Sequence, residues 1–218
     1  HILKMFKAAG HGHFGGSLSC TDIVAALYFG GVLRVDAANP AWPDRDRLIM
    51  SKGHGAPAVY AALVERGFCP AEWVGEYERL GANFSTHPNM HMIPGIDMSA
   101  GSLGHGLSIG VGMALAAKMD GKDYRVYVVL GDGELNEGMV WEAAMSAGKF
   151  GLDHLVAIVD RNNLCVGGRT EDVMPLEPLA DKWRAFGWRL YSVDGHDVAS
   201  ILDTFSRVRE TRGLPSVI

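Results

Sequence analysis

An apolar run, VYVVL (126–130), stops at Gly131-Asp132-Gly133, and Glu134, Asn136 and Glu137 follow at once. A second apolar run, LVAIV (155–159), stops at Asp160-Arg161-Asn162-Asn163. The carboxylate of Asp132, the amide carbonyl of Asn162 and a nearby backbone carbonyl are hard oxygen donors. They suit Mg²⁺ or Ca²⁺ better than zinc. Mg²⁺ commonly shares its coordination shell with phosphate oxygens and water. Gly133 has no side chain, so the backbone there can approach a phosphate, and a following helix offers free N–H groups to an anion. The local chemistry is that of a diphosphate held through a divalent cation. Taken singly, each motif is also an ordinary turn or Asx cap. Their pairing across one strand–helix–strand unit is what singles them out.

Those residues need elements to place them. The sequence predicts strands at 124–130 and 155–160 with a helix at 139–150 between them. A helix is expected at 178–187, a strand at 188–195, a helix at 197–212, and the start of a strand at GLPSVI (213–218). Alternating strands and helices imply an α/β fold, a parallel sheet flanked by helices on both faces. The right-handed crossover rule puts both loaded strand ends on one edge of that sheet, where such sheets bind ligands. In the first half, helices are expected over 19–31, 56–67, 70–81 and 106–119, with a short apolar core in RDRLIMSK (45–52). Residues 82–105 are rich in Gly, Pro, Asn, Ser and His, a long irregular stretch of the kind that carries function. Gly106, Gly110 and Gly112 would let the helix after it pack closely.

Composition narrows the class. The 218 residues are 48% hydrophobic and 21% charged, enough for one sizeable core, and are read as a single domain over 1–218, incomplete at its C-terminus. The net charge of −5 and the lack of a basic stripe argue against nucleic acid. No apolar run has the length of a membrane span. Cys20, Cys69 and Cys165 are scattered and lack metal-ligand spacing, so reduced buried thiols in a cytoplasmic protein are expected. Nine histidines are present, and the residues alone do not rank them. Gly-His-Gly and Gly-His-Phe-Gly settings raise the functional prior for His54 and His13. His11 and His154 are expected at the surface.

GDGELNEG (131–138) followed by VDRNN (159–163) resembles the thiamine diphosphate-binding motif, and the surrounding matches resemble transketolases. GHFGGSLS (12–19) is similar to their N-terminal Gly-His-Pro-Gly segment, and PAWPDRDRLIMSKGHGAPAVYAAL (40–63) to their Arg-Asp-Arg…Ser-x-Gly-His block. STHPN (85–89) is similar to their Gly-His-Pro segment, and GSLGHGLSIGVGMA (101–114) to their Gly-Pro-Leu-Gly-Gln-Gly helix start. These matches run in family order across nearly the whole chain. The resemblance implies a thiamine diphosphate-binding fold. Asp132, Asn162 and the Leu164 carbonyl would ligate Mg²⁺, with Ca²⁺ or Mn²⁺ as substitutes. Gly131 and Gly133 would touch the diphosphate, and Gly101, Ser102 and Leu103 would line the cofactor rings. It places His54 beside the diphosphate and substrate channel, His13 and His87 on substrate hydroxyls, and Glu137 at a subunit interface coupling two active sites. Phe14, His105 and Gly167 depart from the family's Pro, Gln and Asp.

The resemblance also implies something absent. In this family a Glu on a second, pyrimidine-binding domain activates the cofactor, and no such domain lies in these residues. The GHFGGSLS and SKGHG spellings are more similar to the N-terminal subunit of a split transketolase than to full-length enzymes. The implied assembly is a two-fold heterotetramer with a partner subunit carrying the pyrimidine-binding fold. The implied reaction is transfer of a two-carbon ketol unit between a ketose and an aldose, on sugar or sugar phosphate substrates. Alternatives are a related thiamine enzyme such as deoxyxylulose-phosphate synthase, against which RDRLIMSKGHG speaks, or a biosynthetic ketol or acyl transferase, and a non-enzymatic scaffold or regulatory subunit.

Overall fold

The computed structural model describes residues 1–218. The chain opens with α1 (Ile2–Ala9), α2 (Phe14–Leu18) and α3 (Thr21–Phe29). Next come β1 (Arg47–Met50), α4 (Ala56–Glu65), α5 (His105–Met119), β2 (Val126–Gly131), α6 (Gly138–Phe150) and β3 (Leu155–Asp160). A small hairpin, β4 (Leu164–Cys165) and β5 (Gly168–Arg169), leads into α7 (Thr170–Val173), α8 (Leu179–Ala185), β6 (Arg189–Leu190), α9 (Val198–Glu210) and β7 (Ser216–Val217).

Strands β2 and β3 are apolar at nearly every position because both of their faces are covered. The main sheet has the order β1-β2-β3-β7-β6, and every neighbouring pair is parallel. Leu48, Met50, Tyr127, Val129, Val156 and Ile158 face one core, which α1, α3, α4 and α9 complete. Ile49, Val126, Val128, Leu130, Leu155 and Ala157 face the other, completed by α5, α6 and α8. The period-2 alternation of side chains thus splits each strand between two helical layers. The close packing expected of helix α5 is made at Gly106 and Gly110, against the sheet and the residue after β1. A Cβ on Gly110 would lie 2.7 Å from Val128 Cγ2, and one on Gly106 would lie 2.2 Å from Ser51 Oγ. Gly112 has open space instead. The free edge of β1 is blunted: Leu48 N donates to the buried carboxylate of Asp97 at 2.8 Å, and Arg45 pairs with that same carboxylate.

Two expectations need correcting. Residues 70–81 are not an α-helix but a 3₁₀ turn over Ala71–Glu76. Val74 and Tyr77 bury their side chains three residues apart, the 3₁₀ repeat, and Glu78 then turns the chain at φ 60° so that its N–H meets Phe84 O at 2.9 Å. The strand expected over 188–195 is only Arg189–Leu190, because β7 offers it two residues to pair with. The turn between β2 and α6 includes a 3₁₀ segment over Gly133–Asn136, and α6 begins at Gly138, one residue before its expected start.

Candidate functional site

β2 and β3 run in register to their ends, with Gly131 opposite Asp160, and Asp132 N bonds Asp160 O at 3.3 Å. The two loaded turns therefore leave the sheet side by side. Asp132 is 1% exposed. Its Oδ1 accepts from Gly133 N at 2.9 Å, and its Oδ2 accepts from Asn163 N at 2.7 Å and from Arg161 Nη1 at 3.2 Å. Asn162 Oδ1 accepts from Leu164 N at 2.9 Å, which closes an Asx turn. The Asn163 N bond thus sets the Asn162–Leu164 turn against Asp132. Asp132 Oδ1 and Asn162 Oδ1 each have one protein donor and a second lone pair unspent. The Arg161 guanidinium stands beside Asp132 as a positive charge. It is held there by Thr170 Oγ1 at 2.8 Å, Glu171 at 2.7 Å and Glu177 at 3.0 Å. No three His, Cys, Asp or Glu side chains converge as metal ligands anywhere in the chain. The donors here are a carboxylate, an amide and main-chain carbonyls, a set that fits a hard cation.

Around this corner the backbone is packed too tightly for side chains. A Cβ on Gly133 would sit 3.0 Å from Cys165 Cβ, and one on Gly53 would sit 2.9 Å from Gly101 N and 3.0 Å from the His87 ring. Gly101 has φ 153°, where a side chain would be strained. The Gly-His-Gly turn, the His87 segment and the Gly101–Leu103 loop are in this way pressed into one wall. His13 and His54 rings lie 5.5 Å apart. His54 is half-buried, and burial is the first reason its pKa is lowered to about 4, followed by the charges of Lys52, His13 and His87. The His87 imidazole is also lowered, by burial and then by His13, with Glu78 opposing. Three of the nine histidines therefore converge, and at neutral pH the His54 ring is neutral. Gly101, Ser102 and His87 line a common open pocket. Glu137 is exposed at the start of α6, its Cβ 2.7 Å from where a Cβ on Gly104 would be. His11 is exposed as expected and pairs with Glu78 at 3.1 Å. His154 is half-buried within a cluster of Arg34, Asp123 and Arg125, not at the open surface. The three thiols are free, but Cys165 is only partly buried.

Sequence reasoning missed the residues that hold this corner from behind. Glu134 is 2% exposed. Its carboxylate accepts from Gly104 N at 2.9 Å, from Gly131 N at 3.0 Å and from Ser51 Oγ, tying the ends of β1 and β2 to the start of α5. Burial pushes its pKa up while those donors pull it down. Lys52 is 1% exposed, and its Nζ meets Asp160 Oδ2 at 2.6 Å. Ser19 Oγ donates to the same oxygen at 2.6 Å. A lysine two residues after a buried strand was the available signal, but its partner lies 108 positions away and no local pattern names it.

Fold and strand ends define the class first: a parallel α/β domain with helices on both faces and a ligand corner at the carboxyl edge of its sheet. Residues 2–218 match the family described as transketolase, thiamine diphosphate binding domain. The 6-deoxy-6-sulfo-D-fructose transketolase subunit of a Clostridium species is 49% identical over 99% of this chain, which covers 78% of that relative. An apulose-4-phosphate transketolase subunit of Phocaeicola vulgatus is 44% identical over 100% of the chain, which covers 76% of it. Transketolase from Campylobacter jejuni superposes with a TM-score of 0.94 at 29% identity, over 100% of this chain and 35% of that one. The chain belongs to the transketolase family of thiamine diphosphate-dependent transferases. It spans about a third of the full-length solved enzyme but roughly three quarters of the two relatives named as subunits, the pattern of a split transketolase.

Proposed function

We propose that this chain is the diphosphate-binding half of a transketolase-type enzyme that transfers a two-carbon ketol unit from a ketose to an aldose. Thiamine diphosphate, when bound, supplies the electron sink for breaking and forming the carbon–carbon bond. Asp132, Asn162 and the Leu164 carbonyl hold Mg²⁺, and Gly131 and Gly133 leave the backbone open to the diphosphate. Gly101, Ser102 and Leu103 line the cofactor's rings. The neutral His54 ring can accept or donate a hydrogen bond beside them without adding charge. His13 and His87 take positions on substrate hydroxyls, and Glu137 lies at the interface with the second subunit. That partner carries the pyrimidine-binding fold, and two copies of each close into a heterotetramer by two-fold symmetry. The single domain works in the cytoplasm. The two subunit relatives are named for a sulfonated and a phosphorylated sugar, which supports a substrate with an anionic group.

The observation that carries this reading is the bond from Asn163 N to Asp132 Oδ2, which sets the loop after β3 against the turn after β2, with a lone pair unspent on Asp132 Oδ1 and on Asn162 Oδ1. Calorimetry with thiamine diphosphate and Mg²⁺, on the chain together with its partner subunit, tests it. Asp132→Ala is expected to weaken Mg²⁺-dependent binding by at least about 100-fold, beyond the ~10–100-fold that outer-shell changes cost. Binding unchanged by that substitution overturns the metal assignment.

A further inference from the structure

A ligating asparagine has a weakness that an aspartate lacks. Its two ends differ, and only one of them can bind a cation. Asn162 must present Oδ1, and the structure contains a device that decides which way the amide faces. It begins at Lys52, whose ammonium can only donate. Asp160 Oδ2 accepts from Lys52 Nζ at 2.6 Å and from Ser19 Oγ at 2.6 Å. Ser19 has one hydroxyl proton, and that short bond to a buried carboxylate commits it. Lys52 Nζ also points a donor at Ser19 Oγ from 3.5 Å. The serine oxygen is left with lone pairs alone to offer its remaining neighbour, Asn162 Nδ2, at 3.3 Å. A turned amide would set its oxygen against those lone pairs and would also lose the Leu164 N bond to Oδ1 at 2.9 Å.

We propose that Ser19 is a positioning residue: its hydroxyl, oriented by the Lys52–Asp160 pair, locks the Asn162 amide with its oxygen toward the cation site. The inference rests on the metal reading above, and it goes beyond it by assigning work to Ser19, Lys52 and Asp160, which that reading leaves without a role. Donor-only ammonium, acceptor-only carboxylate, committed hydroxyl and oriented amide form a one-way chain. Outer-shell partners of this kind typically govern about 10–100-fold in metal affinity.

The test uses the assembled two-subunit enzyme with thiamine diphosphate and measures Mn²⁺ affinity, alongside the side-chain amide ¹⁵N resonance of Asn162. Ser19→Ala is expected to weaken Mn²⁺ about 10-fold and to release the Asn162 amide protons to fast solvent exchange. Ser19→Thr keeps the hydroxyl and is expected to restore both, which a role in filling space alone would not require. Asp132→Ala serves as the reference. If it abolishes Mn²⁺ binding while Ser19→Ala shifts it by less than about 3-fold, the chain of donors is wrong and the metal site stands. If Asp132→Ala binds Mn²⁺ like the unaltered enzyme, the metal reading falls and this inference with it. Failure of Ser19→Thr to restore binding also overturns the proposal.

Discussion

Lys52→Met isolates the ion pair behind the site from the site itself. The two partners are 1% and 6% exposed at their side chains, and the charged atoms are 2.6 Å apart. Methionine keeps much of the lysine stem's volume and removes the charge together with its N–H donors. Asp160 then keeps the Ser19 hydroxyl and loses its counter-ion in a site that water does not reach. Removing one partner of a buried pair typically costs about 3–5 kcal/mol, because the survivor is left as an uncompensated buried charge. Against a whole-domain stability of roughly 5–15 kcal/mol, that is a large fraction. The second arm neutralises the survivor: Lys52→Met with Asp160→Asn is expected to recover all but about 1–2 kcal/mol. Urea unfolding followed by circular dichroism reads both, provided the slope with denaturant is unchanged. A cost below about 1 kcal/mol for Lys52→Met, or a double variant no more stable than the single one, refutes the reasoning.

The His54 ring is expected to titrate near pH 4 by NMR, against an ordinary value of 6.5. The unfolded chain then binds this proton more readily than the folded one, so stability falls as pH drops from 6.5 toward 4, and His54→Gln should flatten that slope. Gly16→Ala would set a Cβ 2.4 Å from His54 Cδ2. It should cost about 1–3 kcal/mol by overpacking and move the His54 titration toward its ordinary value as the ring is turned out. An unmoved titration would show that Gly16 does not seat the ring. Glu134→Gln puts an amide N–H among three donors, which leaves one of them unpaired; a loss of about 1–3 kcal/mol in thermal or denaturant unfolding is expected.

Local patterns carried much of this architecture. β2 and β3 were legible because full burial writes a continuous apolar run, and their glycine- and asparagine-rich ends marked the loops that leave the sheet. α1 was legible in principle: Ile2, Met5 and Phe6 repeat at helical spacing, and Gly10 ends the helix at φ 79°. The turn at 71–76 was not, since an apolar pair three residues apart fits α and 3₁₀ alike until Glu78 reverses the chain. Asp132 and Asn162 could be named because each stands at a strand end. Glu134 could not be separated from its acidic neighbours, because only the turn after β2 decides that it points inward while Glu137 stays outside. Ser19 and Lys52 were beyond reach for a different reason: their partners are set by how distant segments meet.

Ser19 and Asp160 lie 141 positions apart, and Lys52 and Asp132 fall between them. No short fragment of the chain holds the whole of this corner, so an unfolded chain does not present the finished site to a ligand. Ligand that binds only the finished fold adds RT ln(1 + [L]/Kd) to its stability, about 2.7 kcal/mol at a hundredfold excess over Kd. Vitamin supply would then set the lifetime of the protein as well as its turnover. A chain starved of thiamine would spend more time open to proteases, and its abundance would follow the cofactor even if its synthesis did not change.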